Sequence, residues 1–299
     1  MSKIGNLSLL KIYANAEIKK AVVNGYVVYE STPIPVIDPY LTFSSQSLFT
    51  LNVKDNLKYW DGTLEYSTDK TNWSTWSGTS AISSASDGIK HNLYLRGTGN
   101  TYITGTNAST AKGFWVLTGS NISCEGNIEN LLDYQTVALG NHPVMAIYTF
   151  RHLFRNNANL ISAPELPATT LATYCYDNMF RTCTSLTTVP ALPATTLTSN
   201  CYHYMFSGCT SLTSLPELPA TTLVEACYSN MFRDCSLIKL STTQTAEFQT
   251  PYRIPSEGIG TEGTNSLTSM FANTGRVVTL TINTTYYTSN TIVPAGGNS

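Results

Sequence analysis

The sequence predicts a mainly β protein with short helical turns: an N-terminal β-hairpin arm, a small β-sandwich, then a solenoid of 26-residue units. Three observations predict it. Asn24-Gly25 separates two β-branched runs, the strongest short hairpin signal. Residues 34–118 break into short apolar runs punctuated by turn residues. From Pro164 onward the chain repeats itself without gaps every 26 residues, and self-similarity at such a period marks a stacked-repeat fold.

The arm and its linker occupy residues 1–33. Ala21-Val22-Val23 and Tyr26-Val27-Val28 flank the Asn-Gly pair, and a half-similar element, Lys11-Ile12-Tyr13 followed by Ile18-Lys19-Lys20, precedes them. A lone hairpin is marginal in water, so the arm needs a partner surface or sister chains. Ile12, Tyr13, Val22, Val23, Tyr26 and Val28 are its candidate anchor residues. Residues 31–36, with Pro33 and Pro35, read as a stiff linker.

In residues 34–118 the expected strands are 40–43, 47–53, 63–67, 92–96, 101–104 and 113–117, with Asp61-Gly62 and Asp87-Gly88 as turns. Strands at that spacing suggest a small antiparallel, immunoglobulin-like sandwich. All four tryptophans lie here. Trp60 and Trp115 are assigned to the core. Trp73 and Trp76, in a loop-like segment, stay open between core filling and an exposed platform for a sugar.

Residues 119–282 form the solenoid. Units begin at Pro164, Pro190 and Pro216; Cys175, Cys201 and Cys227 correspond, as do Met179, Met205 and Met231, and Phe180, Phe206 and Phe232. Worn units flank them, at Leu153-Phe154 before and Met270-Phe271 after an insertion at 241–263, as terminal repeats of a stack often are. Residues 185–189 are expected as a short strand and Cys175 to Phe180 as one or two helical turns, with Tyr176 and Phe180 as neighbours. The segment 126–133 has helical apolar spacing and suits an N-terminal cap; residues 283–299 are a tail. Positions that differ between units are placed on the surface. Tyr174, Asp177, Arg181, His203, Tyr204 and Arg233 become candidate ligand contacts, together with Phe248, Tyr252 and Arg253 of the insertion and the open pair Trp73 and Trp76. For any single one of these a plain solvated face is the blander reading.

The unit Met-Phe-x-x-Cys-Thr-Ser-Leu, spaced by Leu-Pro-Ala-Thr-Thr-Leu, resembles the BspA-like leucine-rich repeats of bacterial surface proteins and of phages of gut Firmicutes and Bacteroidetes. The resemblance covers residues 125–282 and implies a leucine-rich-repeat solenoid that binds or adheres without catalysis. The arm resembles the N-terminal β-ribbons of phage minor structural and fibre proteins. That resemblance implies attachment to other virion proteins and a homotrimer.

Six of the seven cysteines fall in the repeats, eight residues apart within each unit. Free, packed thiols come first, since cysteine behaves as a small buried hydrophobe; a disulfide within each unit is second, and a metal site, whose ligands sit closer together, is last. No cofactor is implied. The four histidines are scattered, and no phosphate loop, carboxylate pair or nucleophile elbow occurs, so no enzyme is expected.

Charged residues are 12% of the chain and the net charge is −2, with no Lys/Arg run, which argues against a nucleic-acid partner. No run nears the ~20 apolar residues of a membrane span. No signal peptide is read in MSKIGNLSLLKIYANAEIKK. Assembly in a host cytoplasm and display on a virion surface reconcile that start with a Thr-, Ser- and Tyr-rich binding-protein composition. The expected function is a head-fibre or tail receptor-binding protein that recognises a host-surface glycan or protein. A bacterial adhesin and a glycan-active enzyme are the alternatives.

Overall fold

The computed structural model describes residues 16–23, 26–33, 38–106, 113–241, 248–252, 265–274 and 285–288. Among them the protein is mainly β, with one short helix and no closed barrel. It divides into two compact units, residues 1–38 and 39–299.

In the first unit β1 (Ala16–Val23) pairs antiparallel with β2 (Tyr26–Pro33). Val23 opposes Tyr26, so two residues, Asn24 and Gly25, connect the strands. Ile18, Lys19 and Lys20 belong to β1 rather than to a separate element. The linker expected from residue 31 is corrected too, because Ser31, Thr32 and Pro33 oppose Ile18, Glu17 and Ala16 inside the ladder. Val22, Val23, Tyr26 and Val28 all lie on the paired strands; Ile12 and Tyr13 lie outside the described residues.

The second unit begins with two packed sheets. One has the order β10 (Trp115–Thr118), β4 (Thr50–Val53), β7 (Ile82–Ser83). The other runs β12 (Leu160–Ser162), β11 (Ile122–Glu125), β3 (Leu41–Ser45), β9 (His91–Thr98), β5 (Thr63–Ser67), β6 (Ser74–Thr75), with β8 (Ala85–Ser86) also on β9. Alternation places Leu41 and Phe43 of β3 in the core, with Leu51 and Val53 of β4 and Trp115 and Leu117 of β10, as expected for strands with one buried face. Phe43 and Trp115 meet across the sheets at 6.4 Å. The expected strand at 101–104 is absent. Its polar groups turn instead to residues 146–149: Ile103 N donates to Thr149 O at 2.9 Å and Ala146 N to Thr101 O at 2.9 Å. The larger sheet also crosses residue 118, because β11 pairs with β3 on one side and, in parallel, with β12 on the other.

The helix α1 (Asn130–Ala138) lies further along than the apolar spacing suggests and breaks at Asp133 (φ −153°, ψ 97°). Asp133 restarts it, its Oδ1 accepting from Gln135 N and Thr136 N as an N-cap does. Gly97 of β9 lets the helix in: a Cβ there would stand 1.8 Å from the Leu131 carbonyl oxygen.

From residue 148 the chain stacks unit upon unit. Neither the expected strand at 185–189 nor the helical turns at Cys175 to Phe180 form. Each unit is a run of linked turns in which successive N–H groups alternate partners. Tyr174, Tyr176, Asn178, Phe180 and Thr182 donate to the next unit, at Ser199, Cys201, His203, Met205 and Ser207. Cys175, Asp177, Met179, Arg181 and Cys183 donate three residues back. Every second turn needs a left-handed residue, found at Tyr174, Asn178 and Thr182 and again at Asn200, Tyr204 and Gly208. A helix would point every donor back along its own chain; here half of them bind units together.

The same register stacks side chains. Phe154, Phe180, Phe206, Phe232 and Phe271 form one ladder with ring centres 5.5–5.6 Å apart. Phe150, Tyr176, Tyr202 and Tyr228 form a second. Tyr176 and Phe180 thus sit in different ladders, not against each other as a helix would place them. Both worn units take their places, since Phe154 and Phe271 end the first ladder. Phe154 also meets Trp115 at 6.0 Å, which joins the ladder to the core between the sheets. Buried Asn157 secures the same junction: it accepts from Leu117 N at 2.7 Å and donates to the Trp115 and Phe154 carbonyls. After the third clear unit, β13 (Leu240–Ser241) and β14 (Phe248–Tyr252) both pair with β15 (Thr285–Thr288), so part of the expected tail closes a sheet with the insertion.

Candidate functional site

The positions that differ between units fall into columns along the stack. One holds Arg151, Asp177, His203 and Ser229; the next holds Arg155, Arg181, Ser207 and Arg233. The turn geometry decides which are open. Asp177, Ser207 and Ser229 are buried, which corrects the expectation that all variable positions are exposed. Variation was legible; burial was not, because a neighbouring unit can satisfy a polar side chain.

Asp177 is the clearest case. Its side chain is 2% exposed and bridges three units. Arg151 Nε donates to Oδ2 at 2.7 Å from the unit before, and His203 Nδ1 meets Oδ1 at 3.0 Å from the unit after. The Asn178 amide also donates to Oδ1. Asp177 is therefore held between units by Arg151, His203 and Asn178 rather than presented on the surface.

Arginine and aromatic rings surround it. The Arg151 guanidinium carbon lies 5.1 Å from the Tyr148 ring centre and 6.0 Å from that of Tyr174, and the two rings are 5.0 Å apart. Burial, then the nearby Tyr148 and Asp177, raises the Tyr174 phenol above its ordinary range. Arg181 lies 4.8 Å over Tyr204 and donates through Nη1 to Asn178 Oδ1 at 3.2 Å. His203 meets the Tyr204 ring edge-on at 4.4 Å. Such cation–π contacts fix the plane of each guanidinium. Tyr174, Arg181, His203 and Tyr204 are all half-buried and converge on this face. Arg233 stands further along, held by Asp234 at 3.5 Å and Asn230 at 3.3 Å.

Arg151, Arg155 and Tyr148 belong to the same face, yet the sequence reading passed over them. They lie in the worn unit, whose match to the others is weakest. The signal was the 26-residue register: Tyr148 precedes Tyr174, and Arg155 precedes Arg181, by one period.

The tryptophan loop resolves differently. Trp76 is buried at 2% and packs on Trp60 and Trp115, so it is core and not a platform. Trp60 and Trp115 are buried as expected. Trp73 is half-buried. Its indole N–H donates to Lys70 O at 3.1 Å, and Arg96 covers its ring at 3.9 Å. Phe248 and Tyr252 lie on β14, away in sequence from the arginine columns, and Arg253 lies outside the described residues.

The seven cysteines are free and buried. Cys183, Cys209 and Cys235 donate their thiols to the carbonyls of Phe154, Phe180 and Phe206 at 3.0–3.1 Å. No group of three or more His, Cys, Asp or Glu side chains suited to a metal gathers among the described residues, and none of their helices is long and apolar enough to cross a membrane.

Comparison with known proteins returns no matching family, no matching curated protein and no matching solved structure.

Proposed function

We propose that the chain is a phage virion protein that binds the host surface without catalysis, as a head-fibre or tail receptor-binding protein. In this reading the stacked units are a BspA-like leucine-rich-repeat solenoid, the two sheets an immunoglobulin-like sandwich, and the β1–β2 ribbon an anchor to other virion proteins in a trimer. One observation carries it: side chains that differ between otherwise matching units converge as arginine–tyrosine pairs on a stack whose Leu, Cys, Met and Phe columns are buried. Tyrosine and arginine are the common anchors of binding surfaces, and a stack pinned by ladders holds them rigid, which lowers the entropy lost on binding.

The test has two arms. Antibody against residues 119–282, applied to particles from the source culture, should label virions at the head or the tail. Purified protein should sediment with host cell envelopes. Label on cell envelopes but not on particles replaces the reading with a bacterial adhesin; turnover of host polysaccharide replaces it with a glycan-active enzyme.

A further inference from the structure

Arginine is used selectively in the stack. Between residues 113 and 238 there is no lysine, and the only cationic side chains other than histidine are Arg151, Arg155, Arg181 and Arg233. A solvated surface has no reason to exclude lysine; a site that grips planar or tetrahedral oxyanions does, because the guanidinium fork binds them through two parallel hydrogen bonds.

The four arginines are not equally engaged. Arg233 is paired with Asp234, and Arg151 spends its Nε on Asp177. Arg181 gives one Nη1 hydrogen bond to Asn178. Arg155 makes no side-chain hydrogen bond among the described residues, and its Nε is fully buried. Burial, then the like charge of Arg181 and Arg151, pushes its pKa down, against the pull of Asp177. A half-buried cation without a partner is a cost to the fold. It stands one unit from Arg181 in the same column, and ring centres in adjacent units are 5.5 Å apart. Asp177 is already bonded to Arg151 and His203.

We propose that Arg151, Arg155 and Arg181, with Tyr174 and Tyr204 beside them, bind the acidic group, carboxylate or phosphate, of a host-surface glycan. The oxyanion supplies a counter-charge beside Arg155, and the half-buried tyrosine rings take the apolar face of the adjoining sugar. This rests on the reading of the chain as a host-surface binder and names the chemistry of its ligand.

The test titrates the full chain with oligogalacturonate, with a phosphorylated oligomannoside and with neutral dextran oligomers, at low and high salt. One or both acidic glycans should bind, more weakly at high salt; which of them does so identifies the acidic group. Arg155→Gln and Arg181→Gln should each weaken that binding about tenfold or more. Arg155→Lys should fall between, since it keeps charge and loses the fork. Arg155→Gln should also keep or raise the Tm, because it removes an unpaired charge, so loss of binding is not loss of fold. Equal binding of dextran, binding of neither acidic glycan, or full affinity in both Gln variants overturns the site. Host-envelope binding separates the two proposals. Wild-type binding that both Gln variants retain removes this site and leaves the receptor reading. Arginine-dependent uptake of an acidic glycan without envelope binding keeps the site and removes the receptor role.

Discussion

Thr182 and Gly208 occupy the same place in adjacent units, and both hold a left-handed backbone, at φ 63° and 76°. A β-branched residue there is strained, whereas glycine is not. A Cβ on Gly208 would meet nothing closer than Thr182 Oγ1 at 3.4 Å, so the backbone and not crowding decides the outcome. Thr182→Gly should therefore raise stability, and Gly208→Thr lower it, by roughly 1 kcal/mol each. Urea unfolding of the two variants checks the opposite signs; equal signs would mean the left-handed turn is not maintained.

The phenylalanine ladder should fail from its middle. Phe206 stacks on Phe180 at 5.5 Å and on Phe232 at 5.6 Å, whereas Phe271 meets Phe232 alone among the described rings. Phe206→Ala should cost about 3–5 kcal/mol, the range for a large buried aromatic, with a cavity between two units. Phe271→Ala should cost less, because an end unit can settle into the gap. Denaturant midpoints of the two variants give the comparison.

The 26-residue period made the stack legible and placed Phe154 correctly, and the Met-Phe pair placed Phe271 beyond the insertion, although both units are worn. The local conformation was not legible in the same way. Tyr176 and Phe180 have helical spacing, and the turns that replace a helix depend on left-handed residues four apart, Tyr174, Asn178 and Thr182 in one unit and Asn200, Tyr204 and Gly208 in the next, whose pattern competes with the apolar one. Exposure failed for a related reason. Asp177 differs between units and looks solvated, yet its partners Arg151 and His203 are each one period away, so only the stacked register brings them together. The tryptophan loop split because Trp76 reaches Trp60 and Trp115 across the fold, while Trp73 is held by the nearby Lys70 carbonyl.

Removing the Asp177 carboxylate should loosen three units at once. The carboxylate is 2% exposed and Arg151 19%, so the pair is only lightly screened. Asp177→Ala leaves Arg151 without its carboxylate and should cost on the order of 3 kcal/mol, less whatever water recovers at the arginine. A double-mutant cycle with Arg151→Met measures the coupling directly. Additive single costs would show that the 2.7 Å contact contributes nothing to stability.

The cysteines give the chain a pH signature at the alkaline end. Burial pushes the thiols of Cys175, Cys183 and Cys235 up to about 12, and that of Cys227 up to about 11, from an ordinary 9.0. The folded state thus holds these protons to higher pH than the unfolded chain does. Their contribution to stability is fully present below the unfolded value of 9.0 and is lost as pH rises through 11 to 12. Unfolding free energy should fall progressively above pH 9.0, and variants with Cys175→Ala and Cys183→Ala should show a shallower decline, whatever their stability at neutral pH. The thiolate is the reactive form, so native protein at mildly alkaline pH should resist a thiol reagent and all seven cysteines should react once denatured. Rapid labelling of the native chain would place at least one thiol column at the surface and break the packing described for it.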